Sequence, residues 1–417
     1  MGAFAWSKED LEVRESVRAW VDKVVRPQRD DLEHGGVPPY DVARDYYRTF
    51  GIGEAAAERF DHDLRRAEAE AAGEPFDEPE PDDIDPATLT IANLELVKVC
   101  PGIPTSIGIS AGMTAGTINA LGSLEQRKRW VRDLLTLDKV GAWAITEPDS
   151  GSDAFGGMRT TARPDPSAGS GPAADEWVLN GQKTFITNGP HADTIVVYAK
   201  LDDGSGTQAL RDRPVLTFVL DAGMDGLTQG KPFRKMGMHS SPTGELFFDN
   251  VRVGRDRLLE GRPGSDGRES ARANFVAERF GIATFALGMI EECLRLCLDY
   301  ARQRELWGRP IADFQLIQLK LAEMEIARVN VENMVLKGLD ARRRGVLLDM
   351  AEASAMKLYA SRAASEVAME AVQLFGGNGY MAEYHVEQLA RDAKVLMIYA
   401  GSNEVQVTHV AKGLLRR

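Results

Sequence analysis

Residues 143–153 read Trp-Ala-Ile-Thr-Glu-Pro-Asp-Ser-Gly-Ser-Asp, and this run concentrates more usable chemistry than any other stretch of the chain. A short apolar strand passes into a turn that sets Thr146, Ser150, Gly151 and Ser152 around Pro148. Pro148 fixes the backbone of the turn, and Gly151 lets main chain come close to a ligand. Hydroxyls and free N–H groups on such a turn suit the oxygens of a phosphate or a planar heterocycle. The same composition also makes an ordinary polar strand-to-loop turn. A second candidate is Glu278, which heads an apolar helical stripe of Ile282, Phe285, Met289, Cys293 and Leu296. A carboxylate aimed into apolar surroundings has its pKa raised towards neutrality and becomes a competent general base. Periodicity leaves open the alternative, a helix-start Glu paired with Arg279 at the surface. Two glycine-bearing junctions follow, Gln373–Tyr380 and Tyr399–Glu404, where backbone N–H groups could meet an anion. Ending a helix is the commoner job of such turns, and neither has the spacing of a Walker or Rossmann loop.

The elements that must position these residues fall into three regions. Residues 1–139 read as helical: Ser7 caps a helix from Lys8, a second helix spans about 86–100, and a third, near 123–136, opens with a Ser123/Gln126 capping box. Between the first two lies Glu74–Asp85, with seven acidic residues, three prolines and no basic one, which predicts a solvated loop or disordered insertion. Residues 140–255 read as strands, with runs at Thr194–Ala199, Val215–Leu220 and Glu245–Phe248. Asn180-Gly181 between Trp177–Leu179 and Thr184–Ile186 is a hairpin signal, and 164–175 reads as a flexible loop. Residues 256–417 read as a helical bundle, with long segments at about 268–302, 311–344, 349–375 and 383–398 and a short one at 403–416. On the first of these, Phe280, Ala283, Leu287, Ile290 and Leu294 make a second apolar stripe, so that helix should be buried.

Composition narrows the function. With 50 basic and 63 acidic residues the net charge is −13, which argues against a nucleic-acid partner. No apolar run is long enough to span a bilayer, and the acidic first twenty residues lack the apolar core of a secretory signal. Three cysteines make no disulfide framework; Cys293 and Cys297 read as small core residues, and no metal set is visible. A reducing cytoplasm fits.

Six ordered segments, Ala144–Asp153, Asn180–Gly189, Lys235–Met238, Arg304 to Gln315, Gln373–Tyr380, and Arg391–Lys394 followed by Tyr399–Gln406, resemble the acyl-CoA dehydrogenase family over nearly the whole chain. The resemblance implies an α+β multidomain fold: an α-helical N-terminal domain, a middle β-barrel and a C-terminal four-helix bundle. It implies FAD held between barrel and bundle, with Ala144, Thr146, Gly151, Ser152, Phe185 and Thr187 on the cofactor or at the thioester ligand. Arg304, Gln315, Gln373, Gly376 and Gly377 would reach the FAD of a neighbouring subunit, and Ser402 and Glu404 the subunit's own. A homotetramer, a dimer of dimers, follows from that sharing. Ser152, Arg279, Tyr399 and Gly401 would line the substrate.

Many members of that family place the catalytic Glu where this chain has Ala400, immediately before Gly401. In the isovaleryl-CoA and long-chain branch the base lies in a Glu-Arg pair that matches Glu278-Arg279. The resemblance therefore implies Glu278 as base, with the Ala400 N–H and a flavin hydroxyl polarising the thioester oxygen. The implied reaction gives a trans-2-enoyl-CoA, flavin N5 taking the hydride and an electron-transfer flavoprotein reoxidising the cofactor. Departures are the acidic insertion in place of a Pro-Glu-rich segment, His239 where Arg is common, and Tyr399 where isovaleryl enzymes have Gly. Two other readings stand beside this one: a dehydrogenase of carrier-protein-bound acyl thioesters, and a flavoprotein relative without dehydrogenase activity.

Overall fold

In the computed structural model, the structure describes residues 5–34, 36–82, 84–165, 176–204, 206–260, 267–346 and 348–416. The chain begins with helices α1 (Lys8–Trp20), α2 (Arg29–Glu33), α3 (Tyr40–Thr49), α4 (Ile52–Ala72), α5 (Pro86–Leu96), α6 (Gly102–Ile107), α7 (Ala115–Leu121) and α8 (Leu124–Leu135). The expected Ser7 cap and Ser123/Gln126 capping box form, and the Ser7 cap proves to be a capping box as well. The Ser7 hydroxyl accepts from Asp10 N at 3.0 Å, and Asp10 accepts from Ser7 N at 2.9 Å. Ser123 N likewise donates to Gln126 at 2.8 Å. Helix α5 is capped by Asp85 on Ala87 N at 2.8 Å and stops at Leu96, not near 100. Pro101 bars a helical conformation at Cys100, and the N–H groups of Val99 and Cys100 turn back onto the Leu96 carbonyl.

The acidic run is a mostly exposed loop, the first of its two expected forms, with ion pairs that the expectation lacked. It forms no helix or strand, yet it is strapped along α4, whose basic face supplies what the run lacks. Arg65 pairs with Glu78 at 2.8 Å, Arg66 with Glu80 at 3.3 Å, and Arg59 donates to the Pro81 carbonyl at 3.2 Å. Beneath them the buried His62 ring meets Phe76 edge-on at 5.1 Å.

The middle region holds β1 (Gly141–Ala144), β2 (Thr161–Pro164), β3 (Glu176–Thr187), β4 (Thr194–Leu201), β5 (Val215–Asp221), β6 (Leu227–Gln229) and β7 (Thr243–Gly254) in one sheet ordered β1-β4-β2-β3-β7-β6, with β5 on the free side of β4. The sheet curls around Ala144, Leu179, Val197, Phe218, Leu246 and Val251. Among the described residues no ladder joins β6 to β5, so the expected barrel is open along one seam. The Asn180-Gly181 hairpin does not occur. Strand β3 runs straight through, antiparallel to β7, with a register shift between Leu179 and Gly181. Gly181 sits at φ +145°, and a Cβ there would strike Thr160; the pair serves as a bulge that bends the strand, the other use of such residues in sheets. The predicted loop 164–175 lies outside the described residues from 166 onward.

Five helices complete the chain: α9 (Gly267–Gln303), α10 (Gln315–Arg343), α11 (Met350–Phe375), α12 (His385–Val395) and α13 (Asn403–Leu415). A short ribbon of β8 (Glu305–Leu306) and β9 (Arg309–Pro310) links α9 to α10. Both predicted stripes of α9 are used: Phe280, Ala283, Leu287 and Ile290 are buried, as are Ile282, Met289 and Cys293. Helix α9 therefore lies at the centre, against α10 and α11 on one side and α5 on the other. Gly288 permits that second contact, since a Cβ there would overlap Val97 and the Leu94 carbonyl. Cys100, Cys293 and Cys297 are all buried and unpaired. Among the described residues no helix is long and apolar enough to cross a membrane, and no cluster of ligating side chains could hold a metal.

Candidate active site

The turn after β1 is built on a buried ion pair that the sequence did not single out. Glu147 points inward and accepts from Lys183 Nζ at 2.8 Å, Arg159 N at 2.6 Å and Thr160 N at 3.0 Å. Lys183, wholly buried on β3, also donates to the Ile145 carbonyl at 3.0 Å. Glu147 and Ser150 exchange both main-chain bonds, and the Ser150 hydroxyl donates to the Asp153 carbonyl at 2.6 Å. That hydroxyl is committed to the turn, which leaves Gly151 and Ser152 exposed on its outer side. Thr146 is half-buried, and its carbonyl accepts from Thr184 N at 2.9 Å, tying the turn to β3.

Two residues further along β3, Phe185 adopts φ +58° and is 67% exposed. A left-handed conformation at an aromatic residue is costly, and here it accompanies the second register shift of β3, between Lys183 and Ile186. The ring is held out of the sheet beside Phe233, centroids 5.8 Å apart. Thr187 follows, half-buried, and then Asn188 fastens the strand end to α6 through the Ser106 carbonyl at 3.1 Å and to β1 through the Gly141 carbonyl at 2.9 Å.

Glu278 and Arg279 lie near the start of α9. Arg279 is buried and donates to the Ser354 hydroxyl at 3.1 Å and to the Met350 sulfur, so the alternative of a surface Glu-Arg pair does not hold. Phe280, next in line, packs against Gly338 of α10 under the Arg342 guanidinium. Glu278 accepts no hydrogen bond among the described residues and keeps a partial opening to solvent. Burial raises its carboxyl pKa to about 7, against the opposing pull of Arg279 and Lys357. The group is thus poised near neutrality.

The loop after α12 faces that carboxyl. Ala400 and Gly401 have consecutive positive φ values of 56° and 81°, and the Ala400 N–H donates to nothing among the described residues. A Cβ on Gly401 would lie 3.6 Å from an Arg279 nitrogen. The Tyr399 hydroxyl is buried without a partner among the described residues, and burial together with the nearby Glu278 raises its pKa. Ser402 occupies the N-cap position of α13 but makes no cap bond; the backbone N–H of Glu404 and the nearby Ser402 hydroxyl lower the Glu404 carboxyl pKa. Structure therefore gathers Glu278, Arg279, Tyr399, Ala400 and Gly401 in one place.

Arg304, Gln315, Gln373, Gly376 and Gly377 lie elsewhere. All five are exposed, where the end of α9, the start of α10 and the end of α11 meet. Tyr300 stacks on Phe375 at 4.0 Å and pins those ends together. From Glu278 to Arg304 is 26 residues along α9, or roughly 39 Å at the helical rise. One chain cannot bring both groups to one ligand.

The sequence also gave no sign of the network under the Lys235–Met238 segment. The Asp392 carboxylate accepts from Met238 N, Arg391 pairs with Glu33 at 3.1 Å, and His239 meets the Glu33 and Lys235 carbonyls at 3.1 and 2.8 Å. It joins all three regions. In the chain Asp392 stands between Arg391 and Lys394 and reads as an ordinary surface charge, so no local signal marked it.

Three successive stretches match the acyl-CoA dehydrogenase N-terminal, middle and C-terminal domains, over residues 80–138, 142–251 and 265–415. The chain belongs to the acyl-CoA dehydrogenase family. An acyl-CoA dehydrogenase of Bacillus subtilis is 40% identical over 327 residues, which are 78% of this chain and 81% of that protein. The butyryl-CoA dehydrogenase structure from Megasphaera elsdenii superposes with a TM-score of 0.82 at 30% identity and full coverage of both chains. A glutaryl-CoA dehydrogenase from Mycobacterium smegmatis, in complex with FADH2, gives a TM-score of 0.82 at 25% identity, covering 99% of this chain and 95% of its own. The acyl-CoA dehydrogenase family is FAD-dependent, and this chain's exposed Phe185, open Gly151-Ser152 turn and unpaired Ala400 N–H are groups of the kind a planar, hydroxyl-bearing cofactor takes.

Proposed function

We propose that the chain is an FAD-dependent acyl-CoA dehydrogenase in which Glu278 removes the α-proton of a thioester. The supporting observation is the pairing of an unbonded carboxyl of pKa about 7 at position 278 with an unbonded N–H at position 400, where no acidic side chain stands. An α-proton beside a thioester is too weakly acidic for a carboxylate alone. The Ala400 N–H lowers that barrier by donating to the thioester oxygen as negative charge builds there, while Glu278 takes the proton. Arg279, Tyr399 and Gly401 shape the wall around the reacting carbons, and Ser152 meets the thioester ligand or the cofactor phosphates. FAD, when bound, supplies the acceptor for the β-hydrogen. Glu278 on α9 is the arrangement of the isovaleryl and long-chain branch, whereas the two solved structures named above carry butyryl and glutaryl names; the branch is read from the residue alone.

Ala144, Thr146, Gly151, Ser152, Phe185, Thr187, Ser402 and Glu404 hold the cofactor within one subunit. Arg304, Gln315, Gln373, Gly376 and Gly377, roughly 39 Å away along α9, hold that of a neighbour in a homotetramer, and an electron-transfer flavoprotein takes the electrons. Exposed Leu306, Trp307, Leu316 and Tyr380 beside the second set favour a protein-covered surface there.

Anaerobic mixing of the holoenzyme with a panel of acyl-CoAs of different length and branching tests the reaction. At least one should bleach the oxidised flavin band, and a panel without effect would remove the dehydrogenase reading. Arg304→Ala should lower FAD occupancy and weaken the assembly together, measured by absorbance ratio and sedimentation. Full occupancy in an unchanged assembly would count against sharing.

A further inference from the structure

Behind the Tyr399–Gly401 loop lies a lysine that none of the roles above uses. Lys357 of α11 has no exposed surface, and its ammonium donates to the Gly401 carbonyl at 2.9 Å and to the Asn403 side-chain oxygen at 3.0 Å. Asn403 is held from the other side by the Ser361 hydroxyl at 3.1 Å. Gln406 adds two bonds from its amide, to the Ala400 and Gly401 carbonyls at 3.1 and 2.7 Å. The two carbonyls are thus clamped from behind. A left-handed alanine costs energy to maintain, and the clamp holds Ala400 in that conformation while its N–H is left without an acceptor among the described residues. A buried ammonium is costly to keep in an apolar bundle, so its presence at this point asks for a use.

We propose that Lys357 is a positioning residue: it clamps the 399–403 loop so that the Ala400 N–H meets the thioester oxygen, and its charge sets the potential at Glu278. This rests on the dehydrogenase reading of the same site. The charged and titratable groups around the carboxyl are Arg279 on α9, Lys357 on α11 and Tyr399 on the loop, with Glu404 and His409 of α13 acting on Lys357 and Arg279 in turn. Lys357 bonds directly to the loop and acts on the carboxyl through its charge.

The test uses FAD-loaded enzyme. Lys357→Met, which removes charge and donor but keeps length, should lower kcat roughly 10- to 100-fold, a part of the loss seen when an oxyanion donor is deleted, with KM changed less than about threefold. The acidic limb of the pH profile should move to higher pH, because a positive neighbour that favoured the ionised carboxyl is gone. Bound butyryl-CoA labelled with 13C at the carbonyl should show a smaller infrared shift from its free frequency. A merely structural lysine would move neither the limb nor the carbonyl band. Gln406→Leu, which loosens the same carbonyls without changing charge, should weaken the band and leave the limb in place. If Lys357→Met does not fold, the shorter Lys357→Gln is read in its stead; if neither folds, an unaltered carbonyl band in Gln406→Leu overturns the clamp. A folded Lys357→Met with wild-type kcat, limb and band overturns it as well, while activity surviving in Glu278→Gln would remove the parent reading instead.

Discussion

Glu278→Gln lowers kcat by roughly 10²- to 10⁴-fold, the range a positioned general base contributes, while FAD content stays at the wild-type level. Gln keeps the size of the side chain and removes only its ability to accept a proton. In the wild type the reaction needs the ionised carboxyl, so the rate should rise as pH passes through about 7 and fall below it. Stability runs the other way. A carboxyl whose folded pKa lies above its unfolded value stabilises the fold fully below the unfolded pKa, and that contribution is lost as pH rises through the folded one. The variant should therefore melt at a higher temperature than wild type at pH 8 and at nearly the same temperature at pH 4. Rapid-scan absorbance of the flavin and calorimetry at the two pH values check both halves. Undiminished bleaching in Glu278→Gln would show that another group takes the proton.

Lys183→Met should be the most damaging change outside the bundle. Lys183 and Glu147 are both buried, and their bonds hold the Ile145–Ser150 turn against β3. Removing one partner leaves a charge stranded in an apolar interior, a loss of about 3–5 kcal/mol. Burial already pulls the Lys183 pKa down to about 8, against the support of Glu147. Because Thr146 stands on the turn and Phe185 on the strand so joined, flavin content should fall along with the melting temperature. The double change Lys183→Met with Glu147→Leu should recover much of the stability, since replacing both charges removes the stranded one. A single variant that melts like wild type and keeps its flavin would show the pair to be dispensable.

The parts of the fold legible in sequence are those decided within one or two helical turns. Ser7 and Ser123 announced their helices because a capping box closes over four residues. The two stripes of α9 were readable because their residues pack on the core, all of them buried except Leu294 and Leu296, which are partly so. Asn180-Gly181 misled because the same residues that close a hairpin also absorb a bulge, and only the partner strand β7 selects between them. The acidic run looked unpackable in isolation; Arg59, Arg65 and Arg66, up to about twenty residues earlier, reversed that. Within the site, Glu278 was visible from its stripe, with surface pairing to Arg279 equally open until the fold buried Arg279 against Met350 and Ser354. Lys357 was not visible at all, and Asn403 and Gln406 only as members of the Tyr399–Gln406 segment, without a role. Their bonds join an interior helix position to a loop more than forty residues away, and nothing local in either segment records that meeting.

The length of α9 has a consequence for inheritance. If each reaction centre draws its two halves from opposite ends of that helix in different copies, defects at the two ends are carried by different chains at any one centre. Mixed assemblies of a chain damaged near 278 and a chain damaged near 304 would hold some centres with both lesions and others with neither. Two alleles, each inactive when alone, could then restore one another, and the pattern of which pairs do so would map the geometry of the assembly without a structure of it.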